Sequence, residues 1–208
     1  MSEITLYWYW TTNPQKVRFA LEEMGLRYTL QTIDLGRSAH KTEEYLQINP
    51  RGQVPAIDID GQIICESNAI LLTLATRFQK LWPSSPQEQS RGMELLFLES
   101  GTISSLAGIH YYNLIIRPRL GQQPNIPAIK KAEEKLIPHL VRLEEHFATG
   151  AQYLLSEFSI VDCSYSVWLP HISLEGYPHL LAYRKRLMDR KGWSNAEMRM
   201  TITTQPEG

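Results

Sequence analysis

Residues 49–70 read NPRGQVPAIDIDGQIICESNAI, a span that holds a loop, a proline at a strand start, a hairpin and the beginning of a helix. The run Ala56-Ile57-Asp58-Ile59 alternates as a half-buried strand does, so Pro55 opens a strand. Asp60-Gly61 is a two-residue hairpin turn leading into a second strand, Gln62-Ile63-Ile64-Cys65. Glu66-Ser67-Asn68 then supplies capping residues before Ala69-Ile70-Leu71, the signature of a helix N-terminus. A cis Val54-Pro55 bond would turn the Val54 N–H and C=O outward, where an extended peptide pairs as an added strand. The free N–H groups of the helix start, beside the Ser67 hydroxyl, suit a carboxylate. One short segment thus predicts a clamp for a peptide backbone and an anion.

Toward the N-terminus, Ile4 to Tyr9 is rich in β-branched and aromatic residues and predicts a strand. Thr11-Thr12-Asn13-Pro14 breaks it and supplies N-cap residues with a proline near the first helical position. Val17, Ala20, Leu21 and Met24 recur at helical spacing, and Gly25 is placed to stop that helix. Tyr28 to Leu35 alternates as another strand, and His40 to Leu46 is a weaker helical piece. After the hairpin, Ile70, Leu74 and Phe78 share one face of a helix over Ser67 to Phe78. The predicted order is βαβαββα.

Toward the C-terminus, the stretch Lys80 to Gln87 sets Pro83, Ser84, Ser85 and Pro86 between periodic segments, which is the composition of a linker. Beyond it the pattern is helical throughout. Gln89 to Ile116 reads as one long helix, Arg117 to Pro127 as a connection, and Lys130 to Phe147 as a helix with Leu136, Leu140, Leu143 and Phe147 on one face. Pro138 inside it predicts a kink. Ser159-Ile160-Val161-Asp162 has the spacing of a capping box and heads an apolar helix expected to hold Val167, Trp168 and Leu169. A last helix is expected over Tyr177 to about Lys191, with Ser194 to Gly208 a loosely held tail. Arg184-Lys185-Arg186 and Arg190-Lys191 form a basic helix face, read as solvated.

Composition narrows the function. The 208 residues carry a net charge of −1, from 21 basic and 22 acidic side chains, so the overall balance predicts neither a nucleic-acid nor an anionic-membrane partner. The two cysteines, Cys65 and Cys163, make no C-x-x-C pair and point to a reducing compartment, with Cys65 an inert thiol in an apolar strand. No run approaches the ~20 apolar residues of a membrane span, and MSEITLYWYW lacks a basic leader, so a cytoplasmic location is expected. The six histidines show no paired-ligand spacing, and no metal is expected. G-x-S-x-G, G-x-G-x-x-G and P-loop patterns do not occur.

Val54-Pro55 followed by Glu66-Ser67 resembles the glutathione site of the cytosolic glutathione transferases, whose thioredoxin-like domain carries a VP turn and an E-S pair before a helix. Phe158-Ser159-Ile160-Val161-Asp162 resembles the capping motif of their second domain, so the resemblance runs over nearly the whole chain, to about Trp193. It implies an α/β thioredoxin-like N-terminal domain over 1–79, a linker over 80–88, and an all-α C-terminal domain over 89–208 that contributes the electrophile site. The implied activity is that of a bacterial-type glutathione transferase joining the glutathione thiolate to small electrophiles, in detoxification and stress response. Glutathione is then the co-substrate, and the implied assembly is a homodimer with contacts on the 67–78 and 89–116 helices. A glutathione-dependent isomerase or peroxidase, and a non-catalytic scaffold that keeps the fold, are alternatives on the same site.

Carried onto matching positions, the resemblance has Val54, at the Pro55 turn and assisted by Gln53, pair its backbone with the cysteinyl part of glutathione. Ser67 and Glu66 would hold the γ-glutamyl carboxylate and amine, and His40 and Lys41 would reach toward the glycyl carboxylate. Trp10, His110, Tyr111 and Leu114 fall where the second substrate sits, although an aromatic stripe on a helix also serves as core. A thiol of pKa near ~8.5 needs a donor to favour its anion, and the family places one just after the first strand. No serine or cysteine occurs between Glu3 and Ser38, so the family's serine and cysteine are both missing there. Thr12 falls where serine-type members have their hydroxyl; Tyr9 is the rival, one place off the tyrosine position, and Thr11 and the Asn13 amide stay open. Helix capping by Thr12 and Asn13, and strand packing by Tyr9, are the plain alternatives.

Overall fold

The computed structural model describes residues 2–196. β1 (Ile4–Trp8), α1 (Thr12–Met24) and β2 (Thr29–Thr32) form a crossover that leaves β1 and β2 parallel, with Leu6 opposite Leu30. A short 3-10 turn at Ala39–Lys41 and α2 (Glu43–Ile48) follow. β3 (Ala56–Ile59) then returns antiparallel to β1 and makes a hairpin with β4 (Gln62–Cys65), ahead of α3 (Ser67–Phe78). The sheet order is β2-β1-β3-β4. This is the thioredoxin-like βαβαββα unit. Ile4, Leu6 and Trp8 alternate onto the buried face of β1, as period-two strands require. Gly25 takes the left-handed conformation that ends α1, its N–H bonding the Glu22 carbonyl.

β2 is shorter than the Tyr28–Leu35 expected. It is an edge strand whose only partner ends at Trp8, and the pairing finishes where Ile33 N–H reaches the Trp8 carbonyl at 2.8 Å. α1 is buried on nearly every side, polar Gln15, Lys16 and Arg18 included, because it lies between the sheet with α3 and the helices of the second unit. That double packing explains its blurred apolar periodicity.

The second unit is helical. α4 (Pro86–Leu98), α5 (Ser104–Tyr111) and α6 (Arg117–Arg119) continue one another through π-type turns at Glu99–Ile103 and Tyr112–Ile116. α7 (Ile126–Ala148) runs on through an exposed Pro138 and buries Leu136, Leu140, Leu143 and Phe147. α8 (Ile160–Ser166) stops short of the expected Val167, Trp168 and Leu169, which instead lead into a 3-10 turn, Leu169–His171. Pro170 has no N–H to bond the Ser166 carbonyl, and its ring clashes there. α9 (Pro178–Met188) and α10 (Lys191–Asn195) replace the single last helix. Among the described residues no helix is long and apolar enough to cross a membrane.

The capping box at Ser159 is complete: its Oγ accepts the Val161 N–H at 3.2 Å, and Asp162 accepts the Ser159 N–H at 2.8 Å. Asp162 does more than cap. Fully buried, it also accepts the Leu154 N–H at 3.0 Å and the Tyr183 hydroxyl at 2.7 Å, tying α8 to α9 and to the chain before it. The basic face needs correction at Arg190. Its guanidinium bonds Glu23 of α1 twice, at 3.0 and 2.6 Å, and lies 3.6 Å from the centre of the Phe158 ring, so it clamps the two units together. Residues 194–196 of the expected tail are likewise held, in and just after α10, with Trp193 packed edge-on to Phe19 at 5.5 Å. The remainder of that stretch lies outside the described residues.

Candidate functional site

Two helix starts and one loop meet at a cleft of about 450 Å³. From the start of α1 come Thr11 and Asn13; from the start of α3, Glu66 and Ser67; from the loop between α2 and β3, Asn49, Gly52, Gln53, Val54 and Pro55. Leu35, His40 and Lys41 close the far side. Of the residues expected to hold glutathione, all seven line this cleft: Gln53, Val54, Pro55, Glu66, Ser67, His40 and Lys41.

The loop is held from beneath. Asn49, 1% exposed, donates its amide to the Gln53 carbonyl at 2.7 Å, and the Tyr45 hydroxyl donates to the same oxygen at 2.7 Å. Gly52 sits at φ +58, and a Cβ there would stand 2.7 Å from the His40 carbonyl, so only glycine lets the loop close on residues 40–41. Val54-Pro55 is cis. Among the described residues neither the Val54 N–H nor its C=O has a hydrogen-bond partner, although buried main-chain groups are nearly always paired. An edge of two main-chain groups is therefore open to the cleft.

At α3 the helix start is as unusual. Glu66 adopts φ 71 and ψ 118, a conformation costing a non-glycine residue about 1–3 kcal/mol, and no side chain caps the helix. Helix-start N–H groups have no partner inside the helix, and the dipole favours negative charge there. Arg51 lies 3.2 Å from Glu66, across the mouth. Directly behind, Asn68 donates to the Leu96 carbonyl at 2.8 Å and to Glu99 at 3.0 Å, and receives Ser164 Oγ at 2.8 Å. Glu99 also takes Lys16 Nζ at 2.8 Å on both oxygens, and both side chains are essentially inaccessible. Burial pulls the Lys16 pKa down while the Glu99 charge pulls it back. This buried pair fixes α1 and α3, which carry the cleft, to the first π-type turn of the second unit. With its partners 83 positions apart in sequence, no local sequence signal points to it.

At α1 the structure separates the candidate donors. Thr11 lines the cleft as the N-cap residue, its hydroxyl caps nothing, and Asn13 Oδ1 is buried without a partner among the described residues. Thr12 is not among the lining residues. Neither is Tyr9, whose hydroxyl would lie 3.9 Å from a Cβ on Gly36; partial burial, then the Asp34 charge, raises its pKa. Both helix dipoles thus point their positive ends into one cleft that also holds Lys41 and a free hydroxyl. Such a cleft suits a ligand with two carboxylates and an anionic centre between them.

The residues expected at the second-substrate site divide. Trp10, 45% exposed, stands beside Trp8 with ring centres 4.6 Å apart, and the Tyr111 hydroxyl approaches the Trp10 carbonyl at 3.5 Å. These two come together, joining α5 to the turn that follows β1, and neither lines the cleft. Leu114 is exposed, in the Tyr112–Ile116 turn. His110 is buried and lines a different cavity, between α5 and α7. Leu35, Asn49 and Gly52, three lining residues with no expected role, could have been found only from the loop geometry. Cys65 is half-buried with its thiol pKa raised, chiefly by burial.

The chain matches the family model described as glutathione S-transferase, N-terminal domain, over residues 10–77. It is 26% identical to glutathione S-transferase 3 of Zea mays, over 93% of each chain. It is 29% identical to glutathione S-transferase theta-2 of Homo sapiens, over 78% of this chain and 71% of that one. Among solved structures it superposes on a glutathione S-transferase III in apo form with a TM-score of 0.85 at 26% identity, covering 98% of this chain and 100% of the other.

Proposed function

We propose that this chain is a glutathione transferase, which joins the glutathione thiolate to small electrophiles in the cleft between α1, α3 and the Val54 loop. The observation that carries the reading is the unpaired Val54 main chain facing the same cleft as the uncapped start of α3 and the free Thr11 hydroxyl. The cysteinyl backbone of glutathione pairs with Val54 as an added strand. Its γ-glutamyl carboxylate takes the Ser67 hydroxyl and the α3 N–H groups, with Glu66 facing the amine; Lys41 and His40 face the glycyl carboxylate.

That pose sets the sulfur at the start of α1. There the Thr11 hydroxyl, with the helix dipole behind it, donates to the thiolate and lowers the thiol pKa, so more nucleophile exists at neutral pH. The thiol proton leaves to solvent, the sulfur forms a bond to the electrophilic carbon, and either a halide leaves with the electron pair or an activated alkene takes up the pair and then a proton from solvent. The role is assigned to Thr11 rather than Thr12 on the ground that Thr11 lines the cleft and Thr12 does not. Trp10 and Tyr111 flank the entry of the electrophile.

The test is an ultraviolet titration of bound glutathione with parallel assays on halide, isothiocyanate and activated-alkene substrates. The expected result is a bound thiol pKa about 2 units below that of free glutathione, near 2.7 kcal/mol of thiolate preference, with turnover of at least one class. An unshifted pKa with retained binding would identify a scaffold. Homodimerisation is proposed through α4, where Phe97 is 74% and Met93 39% exposed, and light scattering measures it.

A further inference from the structure

A second cavity, of about 360 Å³, lies in the helical unit and shares no lining residue with the cleft. One wall is a single face of α7, where Glu133, Leu136, Ile137 and Leu140 follow the helical i, i+3, i+4, i+7 spacing. α5 contributes His110, and the segment before α9 contributes Ile172, Glu175 and Tyr177. The floor is apolar and buried, with Leu136, Leu140 and Ile172 all below a tenth exposed. The rim carries Glu133 and Glu175, both exposed, while no lysine or arginine lines the cavity.

His110 stands at the floor, 2% exposed, and its Nε2 has no hydrogen-bond partner among the described residues. A buried polar nitrogen without a partner carries an uncompensated desolvation cost, so a ligand that supplies a partner gains there. Burial holds the His110 pKa down although the Glu133 charge draws it up, so the ring is neutral and its nitrogens form one donor and one acceptor. Nowhere among the described residues do three His, Cys, Asp or Glu side chains converge as a metal site. The two carboxylates and the imidazole of this lining are thus not gathered as the ligand set of one ion.

We propose that this cavity is a second ligand site, separate from the glutathione cleft, that takes a small organic amine with a flat apolar body. The ammonium sits between Glu133 and Glu175 at the rim, and the body lies on Leu136, Leu140 and Ile172 beside the Tyr177 ring. A polar ring atom meets His110. Each part of that ligand answers a feature of the wall: charge at the mouth, apolar area below, one hydrogen-bonding atom at the base.

Calorimetric titration of the full chain with tryptamine, its neutral analogue tryptophol and the anionic indole-3-propionate tests the assignment. Tryptamine is expected to bind once per chain, about tenfold or more tighter than tryptophol, with no binding of the propionate. Saturating glutathione should leave that affinity unchanged. The rim variant Glu133→Gln/Glu175→Gln, which alters exposed side chains only, should weaken tryptamine about tenfold and leave tryptophol as it was. The assignment is overturned if tryptamine fails to bind, if tryptophol binds equally well, if glutathione competes, or if the rim variant binds tryptamine like the parent. Chemical-shift perturbation of the His110 ring by tryptamine reports the location directly, and an unmoved His110 signal with saturable binding would also overturn it.

Discussion

The start of α8 and the starts of α1 and α3 present the same local chemistry, a hydroxyl residue at the head of a helix, and use it in opposite ways. At α8 the Ser159 Oγ accepts an amide, and Asp162 gathers four donors, from Ser159 twice, Leu154 and Tyr183. Nothing is left over, and the site is buried. At α1 and α3 neither Thr11 nor Ser67 caps its helix, and both face the cleft beside an unpaired main chain. Helix-start donors satisfied from within stabilise the fold; left unsatisfied and accessible, they form an anion site.

Substitutions at the two kinds of helix start should therefore separate stability from function. Asp162→Ala leaves several buried donors without an acceptor and is expected to cost about 4–5 kcal/mol in urea unfolding, while the fraction that remains folded keeps its glutathione affinity. Lys16→Met leaves the Glu99 carboxylate buried with only Asn68 and Ser164 as partners, an expected loss of about 3–4 kcal/mol; adding Glu99→Leu should recover much of it. A merely additive double variant would show that the pair does not act as a unit.

Across the comparison, Thr11→Val keeps the shape and removes the hydroxyl. It is expected to lower kcat/KM about 30–100-fold, or about 2–2.7 kcal/mol, with the midpoint of unfolding within about 0.5 kcal/mol of the parent. Thr12→Val should change kcat/KM less than threefold; the reverse order of the two variants would return the role to Thr12. Ser67→Ala should weaken glutathione about tenfold, or about 1.4 kcal/mol, in calorimetry, again without loss of stability.

The smallest effect concerns a fourth helix start. Glu144 of α7 accepts the His179 N–H at 3.1 Å, the Leu180 N–H at 2.9 Å and the His179 ring at 2.7 Å, capping α9 from another helix. Burial raises its pKa, but those hydrogen bonds and the His179 charge together hold it below 4.5. A depressed folded-state pKa contributes stability above the unfolded value and loses it as pH falls through the folded one. The difference in unfolding temperature between the parent and Glu144→Gln should thus be present at pH 7 and close below about pH 4.5. A difference that widens in acid would contradict this.

Much of this was legible locally. The Asp60-Gly61 hairpin, the Gly25 stop, the 67–78 helix and the Ser159–Asp162 box each depend on residues within a few positions of one another. Where the reading missed, distant partners decided. β2 is short because β1 ends, and Arg190 is a clamp because Glu23, on α1, comes to meet it. His110 belongs to another cavity for the same reason: which face of α5 meets α7 is a matter of helix packing, invisible in the spacing of its own residues.

By itself the sequence determined the βαβαββα order of the first unit, the turn at Pro55 and the pair of residues, Glu66 and Ser67, that head α3, because those follow from turn chemistry and short-range periodicity. Only the tertiary structure decided which hydroxyl at the head of α1 is open. Thr11 is still extended at the N-cap while Thr12 already belongs to the helix, so the choice between them depends on where the 49–55 loop and α3 close the cleft around them. A chain can write down its helix caps; whether a cap is closed or left as a site is settled by what packs against it.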